Sequence, residues 1–243
     1  MKILTKTAEK MVFAEEMDES LANAIRRSAI EVPILAIDEV EFTKNDSVLY
    51  DEVLALRLGL TPFKRPKDMN LREKCSCKGK GCAKCTAELK LSVKGPCTVY
   101  AKDFKGEIEP VHGDTVLVKL RDEQELELVA TAVLGKGKYH TKFSPGLVYY
   151  QNVPEIQTEK GTANLAKCVS ICPRKILKLD KDKLEFTDKY RCDMCDVCVE
   201  ACEGVKVIPT KEILFTIESF GMIKAEDILI EAVKALKENL KEI

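Results

Sequence analysis

The distribution of cysteines is the feature that most constrains this chain. Ten of the eleven cysteines fall in two tight groups, one at residues 75–85 and the other at residues 168–202. Disulfide frameworks belong mainly to small secreted domains, whereas tight cysteine groups in cytoplasmic proteins are typical of metal ligands. The sequence therefore predicts a fold that metal holds together at two places.

The second group contains the iron–sulfur spacing of a bacterial ferredoxin. In the stretch KYRCDMCDVCVEACEG the pattern is C-x2-C-x2-C-x3-C, formed by Cys192, Cys195, Cys198 and Cys202. In a two-cluster ferredoxin the first three cysteines of such a motif hold one cluster, and the fourth ligates the other. The motif therefore requires a partner motif elsewhere in the chain.

The partner motif, TANLAKCVSICP, is half degraded, because Thr162 and Leu165 stand where its first two cysteines would be. Because the fourth cysteine of each motif ligates the cluster of the other, one complete ligand set remains. It consists of Cys172, Cys192, Cys195 and Cys198 and would hold a single [4Fe–4S] cluster. Zinc at the same four cysteines is the alternative. Cys168 and Cys202 are too few for a second cubane. We expect this pair to remain thiols in a reducing cytoplasm, although oxidation would join them if they lie close.

The first group, CSCKGKGCAKC, predicts a zinc knuckle. Its four cysteines, Cys75, Cys77, Cys82 and Cys85, lie close enough in sequence to reach one tetrahedral ion, and the glycines permit tight turns. Because sulfur occupies all four positions, no site remains for a water molecule. We therefore expect one structural Zn²⁺ rather than a catalytic one.

A basic stretch surrounds this knuckle. Only Asp68 and Glu73 oppose its cations, which are Lys64, Arg65, Lys67, Arg72, Lys74, Lys78, Lys80 and Lys84. We interpret the stretch as compensation for four thiolates on one Zn²⁺, and a nucleic-acid contact is the alternative. Over the whole chain 39 basic residues face 40 acidic ones. This balance argues against a free-standing, sequence-specific DNA-binding protein.

Hydrophobic periodicity predicts an α+β fold. Helical spacing marks residues 17–33, 51–63 and 224–243, and strand-like runs occupy 34–42, 89–134 and 212–221. In the last helix the apolar residues step by four and three, as in a coiled coil: Leu229, Val233, Leu236, Leu240 and Ile243. This seam packs either on the chain's own core or on a partner chain, and the pattern does not distinguish the two.

The stretches ESLANAIRRSAIEVPILAIDEVEF, YDEVLALRLGLTPF, HTKFSP and FTIESFG, with the terminal helix, resemble the assembly subunits of multisubunit RNA polymerases. That family includes the bacterial alpha N-terminal domain, the third-largest subunit of eukaryotic RNA polymerase II and the archaeal D-type assembly protein, which is the nearest in pattern. The resemblance covers nearly the whole chain. The loop at 75–85 looks like the zinc loop of the eukaryotic protein with one extra residue, and a ferredoxin-like insertion is characteristic of many archaeal members.

The resemblance implies a discontinuous alpha-like dimerisation domain at residues 1–44, 144–164 and 207–243. An inserted β-rich domain at 45–143 would carry the zinc loop, and residues 165–206 would form an inserted ferredoxin-like iron–sulfur domain. The terminal helix would pack against subunit L, and the heterodimer would recruit subunits N and P and the large catalytic subunits. The implied function is a non-catalytic scaffold of a DNA-directed RNA polymerase. The alternative is a stand-alone iron–sulfur electron-transfer protein.

The remaining candidates carry weaker predictions. Arg26 and Arg27 either contact a large subunit or are solvated. His112 and His140, the only histidines, lie far in sequence from both cysteine groups, and we expect His140 to serve in packing and hydrogen bonding rather than as a catalytic base. Cys97, which stands alone, predicts a small buried hydrophobe. The first residues lack a signal-peptide apolar run, and no stretch approaches the ~20 apolar residues of a membrane span. We therefore expect a cytoplasmic protein without membrane contact.

Overall fold

The computed structural model describes residues 1–159, 162, 165–181 and 183–241. Within them the α-helices α1 to α5 span Glu19–Ser28, Asp51–Gly59, Leu165–Ile171, Val197–Ala201 and Ala225–Lys241. The strands β1 to β12 span Lys2–Lys6, Lys10–Glu16, Ile34–Asn45, Thr86–Lys94, Cys97–Tyr100, Lys105–Gly106, Val116–Leu120, Glu125–Gly135, Gly146–Thr158, Leu177–Asp180, Lys183–Phe186 and Val205–Ser219. Ile243, the last position of the predicted seam, lies outside the described residues.

Compact packing divides the chain into two units. The first consists of Met1–Lys6, Val12–Ala24 and Val148–Thr216, and the second of Thr7–Met11, Ile25–Leu147 and Ile217–Ile243. The division into three domains that the resemblance implies stays a prediction.

The second unit is built around a four-stranded sheet in the order β3-β8-β4-β6. β3 and β8 are antiparallel from Ile34 opposite Gly135 to Asn45 opposite Leu126, and β4 flanks the other side of β8 in the same antiparallel sense. The helix α2 covers β3 and buries Leu54 and Leu58 completely. A second ladder, β5-β7, adds apolar side chains to the same core.

The first unit contains the hairpin β10-β11 and the short helices α3 and α4. Its aromatic side chains stack, with the ring of Phe215 centred 5.4 Å from Phe13 and 6.1 Å from Tyr150. A further four-stranded sheet has the order β1-β2-β12-β9. No helix among the described residues is long and apolar enough to cross a membrane.

The helix α5 packs against a short 3-10 turn at Ala29–Glu31 in the second unit. Its buried residues are Ala225, Ile228 and Ala232. The first of these receives support from outside the helix, because its backbone N–H donates to the Ala8 carbonyl over 2.9 Å.

The α+β class is confirmed, and local signals placed most boundaries well. The predicted helix at 17–33 forms as α1 and the 3-10 turn that ends before Pro33. The predicted end of the second helix near Gly59 is the observed end of α2. The strand runs at 34–42, 89–134 and 212–221 appear as β3, β4 to β8 and β12.

Candidate metal centres and interaction helix

The four cysteines of the first group converge on one point. Their sulfur atoms all lie within 4.8 Å of one another. The Sγ–Sγ distances are 3.6 Å for Cys75–Cys82, 3.6 Å for Cys77–Cys85 and 3.8 Å for Cys82–Cys85. A tetrahedral ion with metal–sulfur bonds of about 2.3 Å places its ligands about 3.8 Å apart, so the group fits a single zinc-sized ion.

Tight turns between α2 and β4 bring these sulfurs together. Lys78, Gly79 and Gly81 adopt positive φ angles of 54°, 80° and 90°, a region that glycine enters without steric cost. The Cys85 N–H donates to the Cys82 carbonyl over 2.8 Å, which closes the second turn of the knuckle. The glycines of the motif therefore form the tight turns that the sequence predicted.

The pKa values of two of these thiols favour the binding of a cation. Burial raises the pKa of the Cys85 thiol to about 12. At Cys77 burial acts in the same direction, but hydrogen bonds from Cys85 and Cys75 outweigh it and lower the pKa of Cys77 to about 6. Negative charge therefore collects on Cys77 first, and a bound cation would stabilise the thiolate form of the others.

Part of the basic stretch around the knuckle is neutralised within the second unit. Three of its cations form ion pairs with carboxylates, namely Lys64 with Glu109, Arg65 with Glu231 and Arg72 with Glu39. These pairs reduce the charge that the surface offers to a polyanion. The interpretation of the stretch as charge compensation remains a prediction.

The predicted cubane ligands lie around one pocket of the first unit. Cys172, Cys192, Cys195 and Cys198 line it together with apolar side chains that include Ile176, Leu177, Phe186 and Val207. Within the part of the chain that the structure describes, only the cysteines at 75–85 approach closely enough for a single ion. Four thiols that share a pocket at wider spacing suit a polynuclear cluster better than one zinc ion.

Two of these thiols are held in their neutral form. Burial raises the pKa of Cys192 and of Cys198. A positive φ at Met194 and at Asp196, of 51° and 57°, curls the backbone between the cysteines. A bound iron cluster would have to supply the positive charge that converts such thiols to thiolates.

Cys168 and Cys202 form a disulfide, and the expectation of two thiols is corrected. Both side chains are buried in one apolar cluster with Leu165, Leu184 and Val205. Their Cα atoms are 6.0 Å apart, which is within the range that a disulfide requires. Burial side by side favours the bond, a circumstance that an argument from the redox compartment alone does not include.

The seam of α5 is separate from the face that α5 buries. Leu229, Val233 and Leu236 are half-buried, and Leu240 is 62% exposed. The fully buried residues belong to a neighbouring face of the same helix. The chain's own core thus takes one face of α5 and leaves the seam incompletely covered.

The other candidates differ in their contacts and in their burial. The Nδ1 atom of His140 accepts a hydrogen bond from the Lys142 N–H over 3.1 Å at the start of a 3-10 turn, which confirms its predicted hydrogen-bonding role. Arg26 and Cys97 are half-buried, whereas Arg27 and His112 are exposed. Cys97 was predicted to be a buried hydrophobe. It packs against the core of the second unit but is only half-buried.

Sequence reasoning missed two features of the second unit. One is the ion pair between Arg65 and Glu231, since no local pattern links residues so distant in sequence. The other is an apolar stripe on the outer face of α2, where Val53 and Leu56 are exposed. The stripe has helical spacing, which is the signal that would have found it.

Comparison with known proteins gives one consistent result. The profile of the RNA polymerase Rpb3/RpoA insert domain matches residues 36–146. The chain is similar to proteins named DNA-directed RNA polymerase subunit Rpo3. It is 35% identical to that of Archaeoglobus fulgidus over 92% of this chain and 88% of the relative. The corresponding values are 36%, 98% and 95% for Methanothermobacter thermautotrophicus and 35%, 100% and 96% for Methanosphaera stadtmanae.

Proposed function

Since the chain belongs to the Rpo3 family of archaeal DNA-directed RNA polymerase subunits, we propose that it acts as the assembly platform of that enzyme by forming a heterodimer through α5. The scaffold role follows from similarity that spans nearly the entire chain. A stand-alone electron-transfer protein would instead share only the cysteine-bearing module with its relatives. The family membership therefore favours the scaffold over the electron carrier.

The observation that carries the heterodimer proposal is the uncovered seam of α5. Leu229, Val233, Leu236 and Leu240 recur at coiled-coil spacing, while a different face of the helix packs on the chain itself. An apolar stripe left half-exposed on a terminal helix is a typical partner-binding surface. We assign subunit L as its occupant, with subunits N and P and the large catalytic subunits joining the heterodimer.

Co-expression with subunit L tests this proposal. The two proteins should elute together as a one-to-one complex in size-exclusion chromatography with light scattering. Leu236→Glu should abolish the complex, because a carboxylate would have to be desolvated within the apolar seam. Lys234→Glu introduces the same side chain at an exposed position away from the seam and should leave the complex intact. A wild-type chain that never captures subunit L would refute the proposal.

We further propose that Cys75, Cys77, Cys82 and Cys85 hold one Zn²⁺. The sulfur spacing, which matches a tetrahedral ion with thiolate ligands, supports this assignment. With four protein ligands the ion would have no open coordination position. Its contribution would be to fold the loop between α2 and β4 and not to activate water.

For the second group we propose one [4Fe–4S] cluster on Cys172, Cys192, Cys195 and Cys198. The shared pocket and the wide spacing of the four thiols support it over a single zinc ion. When bound, the cluster would cross-link α4 and the segments before β10 and before α4. The chain's own residues there would bind the iron and exclude water from the apolar side of the pocket. Because Cys168 and Cys202 are bonded to each other, they are not free to ligate a second cluster.

The domain organisation completes the proposal. Residues 1–44, 144–164 and 207–243 would form the dimerisation domain, with residues 45–143 and 165–206 as its two insertions. The match of the insert-domain profile to 36–146 supports the first insertion. No residue of the chain would take part in nucleotidyl transfer, and Arg26 and Arg27 would face a large subunit. The protein would work in the cytoplasm with the rest of the polymerase.

A further inference from the structure

We infer that Arg65 is a positioning residue that fixes the orientation of α5 and thereby presents its seam to the partner subunit. The inference rests on the proposed role of α5 and adds the part of the chain that prepares the helix for binding. Its basis is a two-pronged ion pair between Arg65 and Glu231 of α5. Nη1 donates to Oε2 over 2.7 Å, and Nη2 donates to Oε1.

The same guanidinium also contacts the surface on which α5 rests. Nη1 of Arg65 donates to the Pro33 carbonyl over 2.9 Å, and Pro33 closely follows the 3-10 turn that packs against the helix. In addition, the Arg65 backbone N–H donates to the Met222 carbonyl over 3.3 Å, three residues before α5 begins. Arg65 therefore joins the helix, the segment that leads into it and the turn beneath it.

Apolar packing alone would orient α5 weakly. The buried face offers one large side chain, Ile228, and two small ones, Ala225 and Ala232. Such a face permits the helix to roll or slide at small cost, whereas a planar guanidinium that bonds both carboxylate oxygens fixes direction as well as distance. Glu231 lies about 200° around the helix from Leu229, so the pair holds α5 from the side away from the seam.

The environment of the pair makes it stronger than an ordinary surface contact. The side chains of Arg65 and Glu231 are only 20% and 26% exposed. The hydrogen bond to Glu231 raises the pKa of Arg65, which stays charged under all conditions of interest. Removal of the guanidinium would leave a carboxylate of α5 in a poorly hydrated position without its main partner, and the helix would move to expose it.

The neighbouring residue provides a matched control. Lys64 forms an ion pair with Glu109 over 2.7 Å, but these side chains are 60% and 75% exposed and neither belongs to α5. Lys64→Ala therefore removes one cation and one ion pair from the same segment without touching the helix. Any effect of charge on the basic stretch would appear equally in both variants.

The experiment compares wild type, Arg65→Ala, Lys64→Ala and the charge-swapped Arg65→Glu/Glu231→Arg chain. Titration calorimetry measures the affinity of each for recombinant subunit L. Hydrogen exchange with mass spectrometry measures the protection of peptides within residues 225–241 in the free chain. Arg65→Ala should lower affinity about tenfold and speed exchange specifically in α5. Lys64→Ala should behave as wild type, and the swapped pair should recover affinity relative to Arg65→Ala.

Each outcome bears on the inference. If wild type binds subunit L and Arg65→Ala binds equally well, with α5 exchange unchanged, Arg65 does not position the helix. Faster exchange spread evenly over the whole chain would indicate general destabilisation and would also overturn the inference. If wild type itself fails to bind subunit L, the proposed function fails, and the exchange of α5 alone then decides whether Arg65 orients the helix.

Discussion

Two substitutions on α5 should separate folding from association, because one should weaken mainly the fold and the other mainly the complex. Ile228 is fully buried within the chain, while Leu240 is 62% exposed and belongs to the seam. Ile228→Ala should therefore lower the stability of the free chain, and Leu240→Ala should mainly weaken the complex with subunit L. The two substitutions therefore separate the face of α5 that packs within the chain from the seam that we propose binds subunit L.

The structure sets the size of each effect. Replacing a buried isoleucine by alanine typically costs about 2–5 kcal/mol, and the single large side chain on this face places Ile228→Ala near the lower end. Leu240→Ala should change the free chain by about 0.5 kcal/mol or less, as exposed positions do. Full burial of a leucine side chain contributes about 1.5–3 kcal/mol. Because 62% of Leu240 is still exposed in the free chain, its burial against a partner could contribute about 1–2 kcal/mol to binding. The expected loss of affinity is about fivefold to thirtyfold.

Urea unfolding of the free chains gives the first quantity, and titration calorimetry with subunit L gives the second. The midpoint of Ile228→Ala should fall well below that of Leu240→Ala, whose midpoint should match wild type. The reasoning would be refuted by a Leu240→Ala chain that is as unstable as Ile228→Ala. It would also be refuted by a Leu240→Ala chain that binds subunit L with wild-type affinity.

Three further outcomes follow from the cysteine groups and from Glu31. Cys82→Ser should abolish the one zinc ion per chain measured by plasma mass spectrometry, and full zinc retention would contradict the assignment of the knuckle. Cys195→Ser should remove iron and acid-labile sulfide from anaerobically purified protein and reduce polymerase assembly, while each assembled polymerase keeps its nucleotide-addition rate; a lower rate per complex would argue against a structural cluster. Burial raises the pKa of Glu31, but hydrogen bonds from Lys136 and Lys138 outweigh it, so the pKa lies below its ordinary value of 4.5. Because the folded pKa is depressed, Glu31 stabilises the fold above pH 4.5, and this contribution is lost as pH falls through the folded value. Glu31→Gln should therefore be less stable than wild type in urea at neutral pH and equally stable in strong acid; a difference that persists in acid would contradict the ion-pair account.

The convergence of the first cysteine group could be predicted from sequence because it is local. Cys75 and Cys85 are ten positions apart, so the chain between them has few ways to separate them. The end of α2 near Gly59 was predictable for the same reason, since helix-ending signals act over one turn. Apolar spacing likewise identified the seam of α5.

The remaining features depend on contacts that sequence spacing does not encode. The period of α5 identifies apolar faces, but only packing shows that Ile228 is buried and Leu240 is not. The Arg65–Glu231 pair joins residues 166 positions apart, and a basic stretch beside a cysteine-rich loop gave no reason to connect Arg65 with the last helix. The disulfide depends on the burial of Cys168 and Cys202 in one apolar cluster. The prediction of two thiols was wrong because it considered only the redox compartment.

Reconstitution of the polymerase from purified recombinant subunits tests the scaffold role most directly. With this chain present, the two large catalytic subunits should join subunits L, N and P in one complex that transcribes a DNA template. Without it, the large subunits should remain separate from the small ones and transcription should be absent. A complete and active polymerase that forms equally well without this chain would contradict the assignment.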